Sequence, residues 1–410
     1  MSVINTSSTM ETERIASLDV LRGFAVLGIL LMNIQGFSMP SAAYINPTTY
    51  GDLSGINCWA WIFSHLLADT KFMSIFSMLF GAGVCLFADR ALAKTGKSAF
   101  IHYRRLFWLL IFGLLHAYCI WHGDILVAYA LCGSLVYLFR NRKPKTLLLL
   151  SLMFMSVASL YYFFVGFSLP HLPPDAIADI SKSWQPAAET IAKEISNFQG
   201  GWSEQNLSRF SEAAFLETFV FAINIFWRAT GMMLLGMALY KWGVMNASRD
   251  KQFYQKLVVI CGVVGLLLVA FGIQQNFANR WSLEYSFFLG TQYNYWGSVL
   301  VALAYIGMIM LMVKTNFLKG LQARLAAVGR MAFTNYILQS VICTFIMYGH
   351  GLGYFGEVER WQQLMIVSGV WALQLCYSPI WLKHYRFGPL EWCWRVLTYM
   401  KRQPFKTARV

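Results

Sequence analysis

Charge is scarce in this sequence. Only 13% of its 410 residues are Asp, Glu, Lys or Arg, whereas about 25% is usual in a soluble domain, so a water-soluble globular enzyme is excluded. The same composition excludes a disordered chain. Cysteine clusters are also missing. The eight cysteines, at 58, 85, 119, 132, 261, 343, 376 and 393, show no C-x-x-C and no metal-ligand spacing. Most lie in or beside apolar runs, where cysteine acts as a small hydrophobe, so no metal site is expected. A cleavable leader is not visible either. The first 16 residues are polar and the apolar run after them has full spanning length, so the first helix is expected to be an uncleaved anchor. No internal repeat emerges, which leaves an inverted-repeat transporter architecture without support.

What the chain has in abundance is apolar residues, 57% of the total, with a mean hydropathy of +0.50. A membrane-spanning helix needs about 20 mainly apolar residues, because the hydrocarbon layer is roughly 30 Å thick and a helix rises about 1.5 Å per residue. Ten stretches qualify, at 17–36, 65–88, 105–121, 125–139, 146–167, 218–240, 256–275, 293–313, 328–348 and 362–382, the third and fourth being short. The expected fold is all-α, a polytopic transmembrane helix bundle of about ten spans.

Loops kept in the cytoplasm are enriched in Lys and Arg. With ten spans, 26 of the 33 basic residues fall on one face, which puts both termini in the cytoplasm. Lys182, Lys193, Arg209, Arg280 and Arg360 fall on the other face, beside most of the acidic residues. The net charge of +14 is thus the mark of membrane insertion and not of nucleic-acid binding. The expected partners are membrane lipids, since a basic inner face attracts anionic headgroups or an anionic cytoplasmic donor; a homodimer is compatible with the sequence.

The expected organisation is a polar cytoplasmic N-terminus at 1–16, a bundle at 17–382 with an extracytoplasmic loop at 168–217, and a cytoplasmic tail at 383–410. Helical spacing at 175–198 leaves two readings of the loop open, a lid over an outer vestibule and a plain connector. In the tail, Trp392, Trp394 and Tyr399 alternate with charges, as in a helix lying in the headgroup layer.

Ionisable residues inside spans are expensive and point to function by default. Asp19, Arg22 and Asn33 share one stripe of the first span, by their spacing of three and eleven. They suit either an interfacial ion pair or substrate contact. His65 and Asp69 share a face of the second, near Lys71, which needs a partner on another helix. The third and fourth spans form a tight hairpin from Gly113 through His116 and His122 to Asp124. Asp124 is placed to raise the basicity of His116, which would then take a proton from an acceptor hydroxyl or amine. Packing alone is the plainer role for a buried histidine. Arg228, mid-span and with no carboxylate four residues away, is a candidate anion site or a partner for Asp69 or Asp124. Asn335 and Gln339, four apart in an unusually polar ninth span, suit interhelical hydrogen bonding or substrate contact.

Several of these residues recur together as motifs. Ser17-x-Asp19-x-x-Arg22-Gly23 with Asn33, the hairpin ending Gly-Asp124-Ile-Leu, the run Gly329-Arg-Met-Ala-x-Thr-Asn335-Tyr-x-x-Gln339 and Gly388-Pro-x-Glu391-Trp392 resemble the YeiB-type family of bacterial inner-membrane proteins, over nearly the whole chain. The Asp-x-x-Arg-Gly start and the Asn33 region are in turn distantly similar to the transmembrane acyltransferase superfamily, which includes the heparan-glucosaminide N-acetyltransferases. That resemblance implies transfer of an acyl group from a cytoplasmic acyl-CoA to an acceptor on the far side, with a histidine near the outer face. The heparan enzymes carry a histidine soon after the asparagine. Residues 34–57 contain none here, so the role passes to His116 or His65.

The leading expectation is therefore acyl transfer in the bacterial inner membrane, with His116 and Asp124 as the catalytic residues. Asp19, Arg22, Asn33, His65, Asp69, Arg228, Asn335 and Gln339 line the substrate path. No cofactor is fixed by the sequence; acyl-CoA is the implied donor. The rival expectation is a transporter or exporter of a small anionic or lipid-linked molecule along Asp69, Asp124 and Arg228, and the blandest is a scaffold whose polar groups only fasten helices.

Overall fold

The computed structural model describes residues 16–95 and 98–407; the N-terminal stretch, up to residue 15, lies outside them. Among the described residues the chain is helical throughout, with no strand. The helices are α1 (Ala16–Ser38), α2 (Ser41–Ile45), α3 (Gly55–Leu67), α4 (Lys71–Thr95), α5 (Ser98–Cys119), α6 (Leu126–Val136), α7 (Pro144–Ser168), α8 (Pro174–Trp184) and α9 (Ala188–Gln199). They continue with α10 (Trp202–Phe215), α11 (Phe226–Lys241), α12 (Lys251–Ala278), α13 (Thr291–Lys314), α14 (Lys319–Arg330), α15 (Ala332–Met347), α16 (Arg360–His384) and α17 (Pro389–Tyr399). A π-helical stretch, Leu216–Ile225, joins α10 to α11 without a break. Eight helical segments are long and apolar enough to cross a membrane, and two shorter apolar helices, Leu126–Phe139 and Ala332–Met347, accompany them. The protein is a polytopic bundle of membrane helices.

Burial sorts these segments by position. In α1, 78% of the apolar window is buried, against 22% in the segments built on α7, α12 and α16. Helix α1 is therefore the axis of the bundle and the other three form its rim, with apolar side chains such as Phe164, Leu267 and Met365 facing outward.

Close crossings rest on glycine pairs, since small residues let helix backbones approach where no water drives association. A Cβ on Gly23 would stand 1.9 Å from the Leu325 carbonyl oxygen, and one on Gly329 1.9 Å from that of Asp19. Helices α1 and α14 thus meet backbone to backbone. Gly81 and Gly236 do the same for α4 and α11.

Two of the expected spans are interrupted. The stretch at 65–88 begins earlier, at Gly55, and breaks at 68–70, where Thr70 takes a positive φ of 59°. The break frees the His65 carbonyl, and the Lys71 ammonium donates to it at 2.7 Å. The stretch at 328–348 breaks at Met331, between α14 and α15. There the freed amides of Phe333 and Thr334 donate to Glu391 Oε1 of α17, at 2.7 and 3.0 Å, and the Thr334 hydroxyl donates to Oε2 at 2.5 Å. A broken helix in hydrocarbon persists only where such groups are re-satisfied.

Residues 168–217 fold into α8, α9 and α10, with the helical pattern at 175–198 divided around Pro186. They pack over one end of the bundle. Phe198 is fully buried between the rings of Tyr348 and Phe355, at 4.8 and 4.7 Å. Its carbonyl accepts from the Gly349 amide at 2.9 Å.

The glycine crossings give the first prediction. Gly329→Val forces α1 and α14 apart and should destabilise the detergent-solubilised protein by about 2 kcal/mol or more, as overpacking does. Gly83→Ala, whose new Cβ meets nothing within 4 Å, should not lower the unfolding temperature. Equal behaviour of the two variants in a thermal scan would contradict the crossing.

Candidate functional site

Helices α5 and α6 form a hairpin because Gly113 has no side chain: a Cβ there would lie 2.7 Å from the Val127 amide and 3.1 Å from Asp124 Oδ2. Asp124, at the turn, uses Oδ2 to accept from the Val127 amide at 2.7 Å and so caps α6. Its other oxygen is free to face inward. His116 Nδ1 donates to Asp124 Oδ1 at 2.7 Å, and the carboxylate, which can only accept, fixes the proton on that nitrogen. In the neutral imidazole the remaining nitrogen, Nε2, is then the acceptor, and the Ser340 hydroxyl of α15 donates to it at 2.9 Å. Serine, imidazole and carboxylate thus lie in one hydrogen-bonded line, the arrangement that activates a hydroxyl in nucleophilic catalysis. The three side chains are 0–1% exposed.

Sequence reasoning paired His116 with Asp124 and missed Ser340. The polar run at 329–340 held a signal. Tyr336 and Ser340 are four apart and share one face of α15, whereas Asn335 and Gln339 share another. The structure uses both faces. Asn335 Nδ2 donates to the Val328 carbonyl at 3.1 Å and to Ser378 Oγ at 3.2 Å, and the Tyr377 hydroxyl donates to Asn335 Oδ1. Gln339 Nε2 donates to the Val26 carbonyl at 3.1 Å and to Gln374 Oε1 at 2.9 Å. These bonds tie α15 to α16 and α1, and set the rotation that turns Ser340 and Tyr336 toward His116. The Tyr336 ring lies 5.2 Å from the imidazole, and that of Trp121 lies 6.3 Å from it.

The two helices flanking this centre are the short ones. At about 1.5 Å per residue, Leu126–Phe139 and Ala332–Met347 reach roughly 21–24 Å, less than the ~30 Å of hydrocarbon. Helices α9 and α10 fill the space above them. Arg209 of α10, fully buried, donates to the Cys119 carbonyl at the end of α5 at 3.4 Å, and to Asn206 Oδ1 and Gln205 Oε1 at 2.9 and 3.1 Å. Counting Arg209 as a loop charge hid this role.

A second polar cluster lies at the α3–α4 break. His65 Nδ1 donates to Asp69 Oδ2 at 3.0 Å, and Asn294 Nδ2 donates to the same oxygen at 2.8 Å. Lys71 Nζ donates to Asn294 Oδ1 at 2.6 Å. Arg228 donates to the Tyr295 carbonyl, Ser298 Oγ and Ser74 Oγ at 2.8, 2.7 and 3.2 Å, with its guanidinium 4.4 Å from the Tyr295 ring centroid. It makes no ion pair with Asp69 or Asp124; its direct partners are neutral. Arg228 and Asp69 bond to neighbouring residues of α13, Tyr295 and Asn294, but not to each other.

At the opposite end of α1, Asp19 and Arg22 pair with each other at 2.9 Å. The charge of Arg22 acts on Arg105 of α5 and Arg395 of α17. These two cover the rings of Trp394 and Phe387, at 4.4 and 4.5 Å. Asn33, half-buried, has no side-chain hydrogen bond among the described residues.

The model of a family described as "Protein of unknown function (DUF418)" matches residues 239–401. The whole chain has relatives. It is 32% identical to "Uncharacterized protein YeiB" of Escherichia coli (strain K12), over 97% of this chain and all of that one. The chain belongs to the YeiB family. It is also 32% identical to "Uncharacterized protein YxaH" of Bacillus subtilis (strain 168), over 97% of each, and 27% identical to a 39.9 kDa protein of Bacillus acidopullulyticus, over 96% of each. Ser340, Asn335, Gln339 and Glu391 of this YeiB-family chain lie in the DUF418 region, whereas His116 and Asp124 fall in the part that only the full-length relatives cover.

His122, in the turn beside the centre, supplies a pH prediction. Burial, then the charge of Arg209, then His116 push its imidazole from its ordinary 6.5 down to about 4. The folded state thus favours the neutral ring. The stability this gives is fully present above about 6.5 and is lost as pH falls through about 4. Between about pH 7.5 and 4.5 the His122→Gln variant should lose about 2–3 kcal/mol less stability than the unaltered protein, read from unfolding midpoints across pH. Parallel curves would refute the shift.

Proposed function

We propose that the protein is an acyltransferase of the bacterial inner membrane, taking an acyl group from a cytoplasmic thioester and delivering it to an acceptor on the extracytoplasmic side. One observation carries this reading: His116 is held by Asp124 in the tautomer that leaves Nε2 as a base, and that nitrogen already faces a hydroxyl at 2.9 Å. A base oriented in this way accelerates proton removal by roughly 10²–10⁴-fold. The distant similarity of the Asp19-x-x-Arg22-Gly23 start to transmembrane acyltransferases agrees with it. Arg22, Arg105 and Arg395 gather positive charge at the end where the basic loops lie, suiting the phosphates of an acyl-CoA. The helices of 168–217 then form an extracytoplasmic roof through which the acceptor must enter.

A second reading, transport of a small anion, is favoured by the broken helix at 68–70, which sets Asp69 and Lys71 beside Arg228; interrupted helices and midplane charges mark transporter sites. Covalent change separates the two. Purified protein in lipid vesicles, supplied with radiolabelled acyl-CoA and an envelope extract, should pass label into a new product. His116→Ala and Asp124→Asn should each slow this about 10²-fold or more. Label that crosses the vesicle unchanged, with Arg228→Gln blocking passage and His116→Ala not, would favour transport.

A further inference from the structure

The geometry points to Ser340 as the nucleophile of a two-step transfer, in which a short acyl group rests on this serine as an ester before it reaches the acceptor. The inference rests on the acyl-transfer reading and deepens it: a histidine base alone serves direct transfer, whereas the position of Ser340 makes the enzyme itself the first acceptor. Three observations converge. Ser340 Oγ is 2.9 Å from His116 Nε2, the one nitrogen that Asp124 leaves unprotonated. His116 is 1% exposed and Ser340 1%, so a direct transfer would have to bring donor and acceptor into a closed site together, whereas a covalent relay admits them in turn. Gln339 and Asn335 bind α16 and α1 from the other face of α15, which fixes the serine against the imidazole instead of leaving it free to turn away.

The chemistry balances without a further reactant. His116 Nε2 takes the hydroxyl proton while Ser340 Oγ attacks the thioester carbonyl carbon. The C–S bond breaks, and the thiolate leaves with that proton as a thiol. In the second step His116 takes a proton from the acceptor hydroxyl or amine, which attacks the serine ester; the bond to Ser340 Oγ breaks and the proton returns to it. Asp124 holds the imidazole through both steps. Ser340 and His116 are each 1% exposed and the rings of Trp121 and Tyr336 stand 6.3 and 5.2 Å from the imidazole, which favours a short acyl group such as acetyl over a long one.

The test uses the full-length protein in detergent with two probes, radiolabelled acetyl-CoA without acceptor and a fluorophosphonate, which reacts with activated serines whatever the natural donor. The expected result is label from acetyl-CoA approaching one per chain, stable to acid and mapped by mass spectrometry to Ser340, and fluorophosphonate modification of the same residue. Both should fall at least about 100-fold in His116→Ala. Ser340→Ala should lose both, while Ser340→Cys, which keeps a nucleophile, should take up acetyl as a thioester released by neutral hydroxylamine. A serine that only positions His116 would not yield that change in adduct chemistry. Transfer to acceptor that persists in Ser340→Ala without any adduct overturns the inference and leaves acyl transfer standing. Fluorophosphonate modification of Ser340 that needs His116, with no uptake from acetyl-CoA, keeps the nucleophile and removes the CoA donor. Failure of both probes on a protein whose unfolding midpoint is unchanged overturns it outright.

Discussion

A polar group inside hydrocarbon has no water to bond, and each one left unpaired costs several kcal/mol. In this bundle that constraint bears hardest where the helices stop or break, because each interruption frees backbone amides and carbonyls. The two breaks and the α5–α6 turn are each met by a charged side chain. Lys71 donates to the His65 carbonyl at the α3–α4 break, Glu391 accepts from Phe333 and Thr334 at the start of α15, and Asp124 accepts from Val127 at the start of α6. Charged side chains that look extravagant in a membrane segment are thus explained first as caps. Asp124 is the one with an oxygen to spare, and that oxygen orients His116. The candidate site grows out of a structural necessity.

Placement of the third member depends on α15, which is short, begins at a break and would be free to rotate were it held by apolar packing alone. It is held by hydrogen bonds on one side and by a cap at its foot. Gly23 and Gly329 bring α1 against α14, so the chain enters α15 at a set depth. Asn335 and Gln339 then lock its rotation against α16 and α1. A turn of 100° about the helix axis would carry Ser340 away from the imidazole, so these distant contacts and the 2.9 Å approach to His116 are parts of one arrangement. Positioning groups outside the reacting line matter in this way wherever geometry must hold to within about half an ångström.

Much of the fold was legible in the sequence because apolar length is a local property: each of the ten expected apolar stretches corresponds to apolar helix in the structure. The His116–Asp124 pair was legible for the same reason, since both sit in one tight hairpin. What escaped was non-local. Ser340 is 224 positions from His116, and nothing in spacing couples them. The partners of Arg228 were also hidden, because serine hydroxyls and a carbonyl on other helices leave no charge pattern to find. Arg209 and Arg360 read as loop charges, yet both are buried, the latter donating to the carbonyls of Pro47 and Tyr50. The breaks at 68–70 and Met331 were invisible too, since neither contains Pro or Gly; the first is met by the adjacent Lys71 and the second by Glu391, 58 positions from Phe333.

Depth decides what kind of transfer such a site can perform. Ser340 lies eight residues into α15, about 12 Å along the helix from its capped end at 1.5 Å per residue, and seven residues from its other end. On the acyl-transfer reading, neither a donor held by arginines at the basic end nor an acceptor arriving under the α9–α10 roof has to cross the whole hydrocarbon layer. Each needs to reach only the middle, and the short helices α6 and α15 are what thin the barrier there. On the same reading, a group held on the serine at that depth lets donor and acceptor bind in turn. The burial of Ser340 would, on that reading, keep water from the ester between the two steps.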